Sequence, residues 1–237
     1  MMSGKRWGYV VQFFCLLVFL GMSPFLIKMD GRKTMSVSSD SVRSQNVSDE
    51  VKPVVALTFD DGPNASSTPI LLDGLKERKV RATFFLIGEN VEKDENEKIV
   101  KRMYEEGHLI GNHTYTHCNL SKLETGEAKK DLEQTDTVIE KITGKQPVFV
   151  RAPYGELPVD SEQDLNRIYI GWTVDPLDWM TEDTGAVVKT VVEEINPGDV
   201  ILLHDCYPSS VQAAIRIVDL LQGKGYEFVT VDHLIMD

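Results

Sequence analysis

The sequence predicts an α/β fold built on a parallel sheet with helical crossovers. Two observations carry that prediction. From about residue 51 to the C-terminus, short β-branched and apolar runs alternate with longer runs whose apolar residues recur at helical spacing. In addition, five polar clusters stand directly after apolar runs, at the strand ends where parallel βα architectures build their sites. A closed or distorted βα barrel and an open doubly wound sheet both satisfy this pattern. No G-x-G-x-x-G and no P-loop occurs, which argues against a nucleotide site, and no repeat of solenoid period is present.

In chain order, Lys5 and Arg6 precede residues 7–27, which carry no charge. A helix of that length spans a bilayer core of about 30 Å. Gly21 and Ser23 are small residues near its end, but Pro24 disfavours cleavage there, so residues 1–27 are expected to be an uncleaved signal anchor. Residues 28–50 are polar and Ser-rich, the composition of a disordered linker, and residues 51–237 form the globular domain. The expected location is the cell membrane, single-pass with the globular domain outside; cleavage would instead give a secreted protein.

Within the globular part, residues 54–59 form a β-branched strand. Residues 67–79 carry Ile70, Leu71, Leu72 and Leu75 on one helical face, and 82–87 form a second buried strand. A charged helix with Ile99, Val100 and Met103 inward is expected over 91–106, then a short strand at 109–110. A helix over 125–142 buries Leu132, Val138, Ile139 and Ile142 and stops at Gly144. Strands at 148–150 and 168–174, a helix at 187–195, a strand at 200–203, a helix at 211–222 and a strand at 226–229 complete the series. Residues 156–166 are polar and short for a crossover helix.

Of the 237 residues, 42% are hydrophobic and 26% charged, enough for one well-packed domain. The net charge of −12 repels phosphate backbones and argues against nucleic acid as a partner. Cys15 lies in the apolar N-terminal run; Cys118 and Cys206 are expected as independent thiols rather than a bridge.

The five clusters supply the chemistry. Asp60 and Asp61 end the first strand, and adjacent carboxylates can take different tasks, one on a metal and one facing water; Asp-Gly-Pro is also ordinary turn chemistry. His113 and His117 lie at i and i+4, a spacing that places two imidazoles on one face of a helical turn. With Asp61 they would leave open positions on Zn²⁺ or a similar ion. Arg151 can hold a carboxylate, or belong to a surface turn. Asp178 stands beside Trp179, which lines a small pocket or packs in the core. His204 follows Leu202 and Leu203 as a proton donor or a structural histidine.

The joint occurrence of these clusters in this order, from about residue 54 to the end, resembles the polysaccharide deacetylase family, also called carbohydrate esterase family four or the NodB homology domain. The resemblance implies a distorted (β/α) barrel and removal of N-acetyl groups from peptidoglycan or chitin-like polysaccharide. It implies one divalent metal, zinc first and cobalt, nickel or manganese as alternatives, on Asp61, His113 and His117. It makes Asp60 the general base, Arg151 its holder, His204 the general acid and Asp178 the residue that tunes it. It gives the Tyr154 N–H to the oxyanion, and Trp179 and Leu202 to the acetyl methyl. Ala152 departs from the proline of many members. An O-acetyl esterase acting on xylan or O-acetylated glycan, and a non-catalytic glycan-binding surface protein, are the competing expectations.

Overall fold

Strand β1 (Val54–Asp60) runs through the middle of the sheet and is buried along nearly its whole length. Its odd positions, Val55, Leu57 and Phe59, pack with Leu71, Leu72, Leu75 and Ile217 of the surrounding helices. The even positions, Ala56, Thr58 and Asp60, therefore face the opposite side, because strand side chains alternate. The computed structural model describes residues 52–93, 95–159, 161 and 166–236. The anchor and linker expected over 1–50 lie outside the described residues; within them, no helix is long and apolar enough to cross a membrane.

After β1 come α1 (Thr68–Glu77), β2 (Thr83–Leu86), α2 (Gly88–Val91), α3 (Asn96–Glu105), β3 (Leu109–Asn112), α4 (Thr125–Thr143) and β4 (Phe149–Val150). Then follow β5 (Ile168–Tyr169), α5 (Thr184–Glu194), β6 (Val200–His204), α6 (Pro208–Gly223), β7 (Glu227–Val229) and α7 (Val231–Met236). The strands pair in the order β5-β4-β3-β2-β1-β6, with β7 beside the start of β1, and every pairing is parallel. Gly144 ends α4 in the left-handed conformation at φ 71°, which only glycine adopts freely.

The expected strand over 168–174 is two pieces. It leaves β4 after Ile170, whose N–H bonds to Val150 O, and reaches β6 at Val174, which bridges Ile201. Thr173 and Val174 both donate to Val200 O, and Leu202 donates back to Val174 O. One segment thus joins the two ends of the sheet, and the ring closes as a distorted barrel. The expected helix over 91–106 is also divided. The Asn96 side chain donates to Asn90 O and Pro63 O, so this one asparagine ties the backbone down where a continuous helix would run. Helix α7 was not expected, being too short to show a period. Between β4 and β5 no α-helix occurs among the described residues. Cys118 and Cys206 are both free.

His108, just before β3, is buried, and its Nδ1 accepts the Ala82 N–H. Burial lowers its pKa from 6.5 to about 4. The folded state keeps this ring neutral while the unfolded chain takes up a proton, so the stabilisation is full above pH 6.5 and lost as pH falls towards 4. The loss is of order 3 kcal/mol. Urea titrations from pH 7 to 4 should show this fall, and His108→Gln should remove most of it; equal slopes in both proteins would contradict the assignment.

Candidate active site

The barrel interior is organised around one buried cation. Arg151 follows β4 and is fully buried. Its Nη1 donates to Asp60 Oδ1 at 2.8 Å and to Thr58 Oγ at 2.7 Å. Its Nε donates to Ile170 O at 3.2 Å and Nη2 to Gly171 O at 2.9 Å. The guanidinium lies 4.2 Å from the Phe85 ring centroid. Phe85 has room only because residue 111 is glycine, where a Cβ would come within 2.5 Å of the ring. Thr58 passes the connection on, donating to Ile201 O at 2.7 Å. One oxygen of Asp60 is thereby fixed, and the other, Oδ2, lies 3.8 Å from His113 Nε2.

Asp61 leaves the strand at φ 70°, and its carboxylate meets the same His113 Nε2 that Asp60 Oδ2 approaches. Its Oδ1 lies 3.4 Å from His113 Nε2 and 3.3 Å from His117 Nε2. That oxygen is buried and accepts no hydrogen bond among the described residues. One ligand atom from each of Asp61, His113 and His117 falls within 4.8 Å of the others. His113 Nδ1 is 2.7 Å from Arg151 O. A carbonyl only accepts, so Nδ1 carries the proton and Nε2 turns its lone pair to the cluster. Burial favours neutral Asp61, but the neighbouring imidazoles of His113, His117 and His204 outweigh it and hold its carboxyl below the usual range. Burial likewise lowers His117. A buried, undonated carboxylate oxygen facing two imidazoles fits a divalent cation, whose ligands must be deprotonated.

The two histidines do not share a helical turn, contrary to the expectation from their spacing. They sit on the loop after β3, with Thr114 at φ 67° and His117 at φ 56°. Such left-handed residues cost of order 1–2 kcal/mol each and persist where neighbours hold them. Here Asp131 of α4 accepts the Tyr115 N–H and the Thr116 hydroxyl, and Asn112 accepts the Thr114 N–H. The Asn112 amide is held in turn by Leu132 O and Asp136.

His204 ends β6 directly opposite Asp60 in the register, so both side chains point to the same side. Asp178 accepts twice from it, from the backbone N–H and from ring Nδ1, each at 2.8 Å. Its Nε2 faces the centre, 4.0 Å from Asp61 Oδ2. Burial opposes a charge on this ring, yet the bond to Asp178 and the charges of Asp178, Asp60 and Asp61 raise its pKa to about 8. A general acid must be protonated, so a proton-donating role for His204 would make activity fall above its pKa. In Asp178→Asn the alkaline limb of the kcat/KM profile should move down from wild type towards 6.5 or lower, the direction in which burial alone pulls. An unmoved limb would contradict the role of Asp178.

Tyr154 stands at φ 62° in the turn after Arg151, 65% exposed, with its hydroxyl 3.2 Å from His117 Nδ1. Leu202 is buried and shares the inward row with Thr58. Trp179 is half-exposed beside Asp178 rather than packed in the core. All ten residues singled out in the sequence lie on β1, β6 or the loops after β1, β3, β4 and β5. Thr58, Asn112 and Asp131 were missed. Thr58 could have been found, as a polar residue in phase with Asp60 on an otherwise apolar strand.

A parallel barrel that gathers these groups at the carboxyl ends of its strands defines a metal-assisted hydrolase. The chain belongs to the polysaccharide deacetylase family, whose sequence model matches residues 48–170. It is 42% identical over 190 residues to a peptidoglycan-N-acetylglucosamine deacetylase of Bacillus cereus, covering 77% of this chain and 68% of that protein. It is 39% identical over 194 residues to the peptidoglycan-N-acetylmuramic acid deacetylase PdaC of Bacillus subtilis, covering 82% of this chain and 41% of PdaC. The solved PdaC structure superposes with a TM-score of 0.74 over 78% of this chain and 90% of that chain, at 39% identity. A cobalt-bound family 4 acetyl xylan esterase from Clostridium thermocellum superposes with a TM-score of 0.72 over 76% of this chain and 89% of that chain, at 33% identity.

Proposed function

We propose that this chain is a zinc-dependent peptidoglycan N-deacetylase that hydrolyses acetamide groups on cell-wall amino sugars, giving acetate and a free amine. The observation that carries the reading is the undonated Oδ1 of Asp61 between two imidazoles, with Arg151-held Asp60 and Asp178-held His204 beside it. A divalent cation on Asp61, His113 and His117 supplies a Lewis acid for the amide carbonyl and lowers the pKa of a bound water. Asp60 Oδ2 is the free oxygen of the base and takes the proton of the attacking water. Arg151 keeps that carboxylate oriented. The Tyr154 N–H donates to the developing oxyanion, a contribution of about 3–4 kcal/mol for a well-placed donor. His204 gives its Nε2 proton to the departing nitrogen, without which an amine leaves poorly. Leu202 and Trp179 flank the acetyl methyl.

A mixed nitrogen and oxygen donor set with open positions suits zinc; cobalt, nickel and manganese are the alternatives. The uncharged residues 7–27 support a membrane tether, and a cell-wall substrate calls for the domain on the outer face. Protease shaving of intact cells should release the domain if that is so.

Acetate release from peptidoglycan, chitin oligomers and acetylxylan separates the candidate substrates. The expected result is release from the N-acetylated glycans. Release from acetylxylan alone would favour the esterase reading, which the likeness to the xylan esterase supports.

A further inference from the structure

One buried carboxyl beside the site has no part in the steps above. Asp205 follows His204 and is fully buried. Its Oδ2 accepts the Thr68 hydroxyl at 2.5 Å, and that hydroxyl accepts the Asn64 N–H at 2.8 Å. Its backbone carbonyl accepts the Ser67 hydroxyl at 2.5 Å. Both carboxyl oxygens press on the loop after β1: a Cβ on Gly62 would lie 2.5 Å from each. Asp205 Oδ1 has no hydrogen-bond partner among the described residues, and it occupies the space where a Gly62 side chain would begin.

The opposite side of this loop is held by other elements. Asn90 donates to Asp61 O at 2.7 Å, the Ile87 N–H to Gly62 O at 3.1 Å, and Asn96 to Pro63 O at 3.2 Å. Residues 61–63 are thus clamped between three donors from the β2–α3 region and one carboxyl from the end of β6. Asp61 is carried by this loop, and His204 precedes the carboxyl that presses on it.

We propose that Asp205 is a positioning residue: wedged against Gly62, it sets the Asp61 carboxylate in place for the metal and fixes the spacing between the β1 and β6 strand ends. The proposal rests on the metal-site reading above. Glycine at 62 is required because Asp205 fills the space a side chain would take.

Zinc affinity, measured by chelator competition on folded full-length protein, tests it without reference to substrate. Asp205→Ala should bind zinc about 10–100-fold more weakly, the range seen when support of a metal ligand is lost. Its kcat should fall with KM little changed. Asp205→Asn fills the same space, keeps an acceptor for Thr68 and should bind like wild type. Gly62→Ala should also weaken zinc binding, and Asp205→Ala added to it should recover part of the loss, because the space is vacated. Should Asp205→Ala not fold, Thr68→Val puts a methyl in place of the hydroxyl that links Asp205 Oδ2 to the Asn64 N–H, and should weaken binding severalfold. Wild-type affinity in Asp205→Ala, or in both Gly62→Ala and Thr68→Val, overturns the proposal alone. A loss in Asp205→Asn equal to that in Asp205→Ala does the same. A wild-type chain that binds no zinc overturns the metal site and this proposal with it.

Discussion

Arg151→Ala should destabilise the protein by about 3–5 kcal/mol, the cost of leaving one member of a buried ion pair without its partner. The size follows from what the guanidinium reaches. It meets Asp60, Thr58, Ile170 O and Gly171 O, and so ties β1 to the backbone that follows β4 and β5. It also covers Phe85 inside the barrel. Truncation leaves the Asp60 carboxylate buried without a counter-charge and opens a cavity beside an aromatic ring. Arg151→Lys should recover little, since a single ammonium cannot present the fork that serves four acceptors. Urea unfolding reads the effect directly, and a loss under about 1 kcal/mol, the worth of an exposed pair, would contradict this description.

Asp60→Asn should lower kcat by about 10²–10⁴-fold, the usual contribution of a general base, the role proposed for Asp60 above. The substitution separates chemistry from architecture. An asparagine oxygen can still accept from Arg151, and the metal cluster on Asp61, His113 and His117 is not altered. The amide cannot take a proton from water. Zinc content should therefore match wild type while acetate release is lost. Substantial release from Asp60→Asn would move the role of base to another group.

Part of this site was legible because Asp60, Leu202 and His204 sit on the strands with the strongest sequence signal. The β-branched run of β1 and the apolar run of β6 place Asp60 and His204 at strand ends, and the parallel register sets them side by side. The order of the five clusters did the rest. What spacing could not supply was backbone handedness. His113 and His117 meet through residues at positive φ, and an i, i+4 separation is the same number in a helix and in this loop. The supports were hidden for a different reason. Asp131 and Asp136 are ordinary polar residues in an amphipathic helix, and only the packing of α4 against the loop reveals that they hold it. The split of 168–174 between β4 and β6 was equally invisible, since pairing partners far apart in sequence leave no local mark.

The most direct test of the central claim is acetate release from N-acetylated peptidoglycan by the purified chain, before and after chelation and during back-titration with zinc. Release should disappear with the metal and return in full near one zinc per chain, with Asp61→Ala failing to respond. Release that persists in the chelated protein, or a zinc-loaded chain that leaves every N-acetylated glycan untouched, would contradict it.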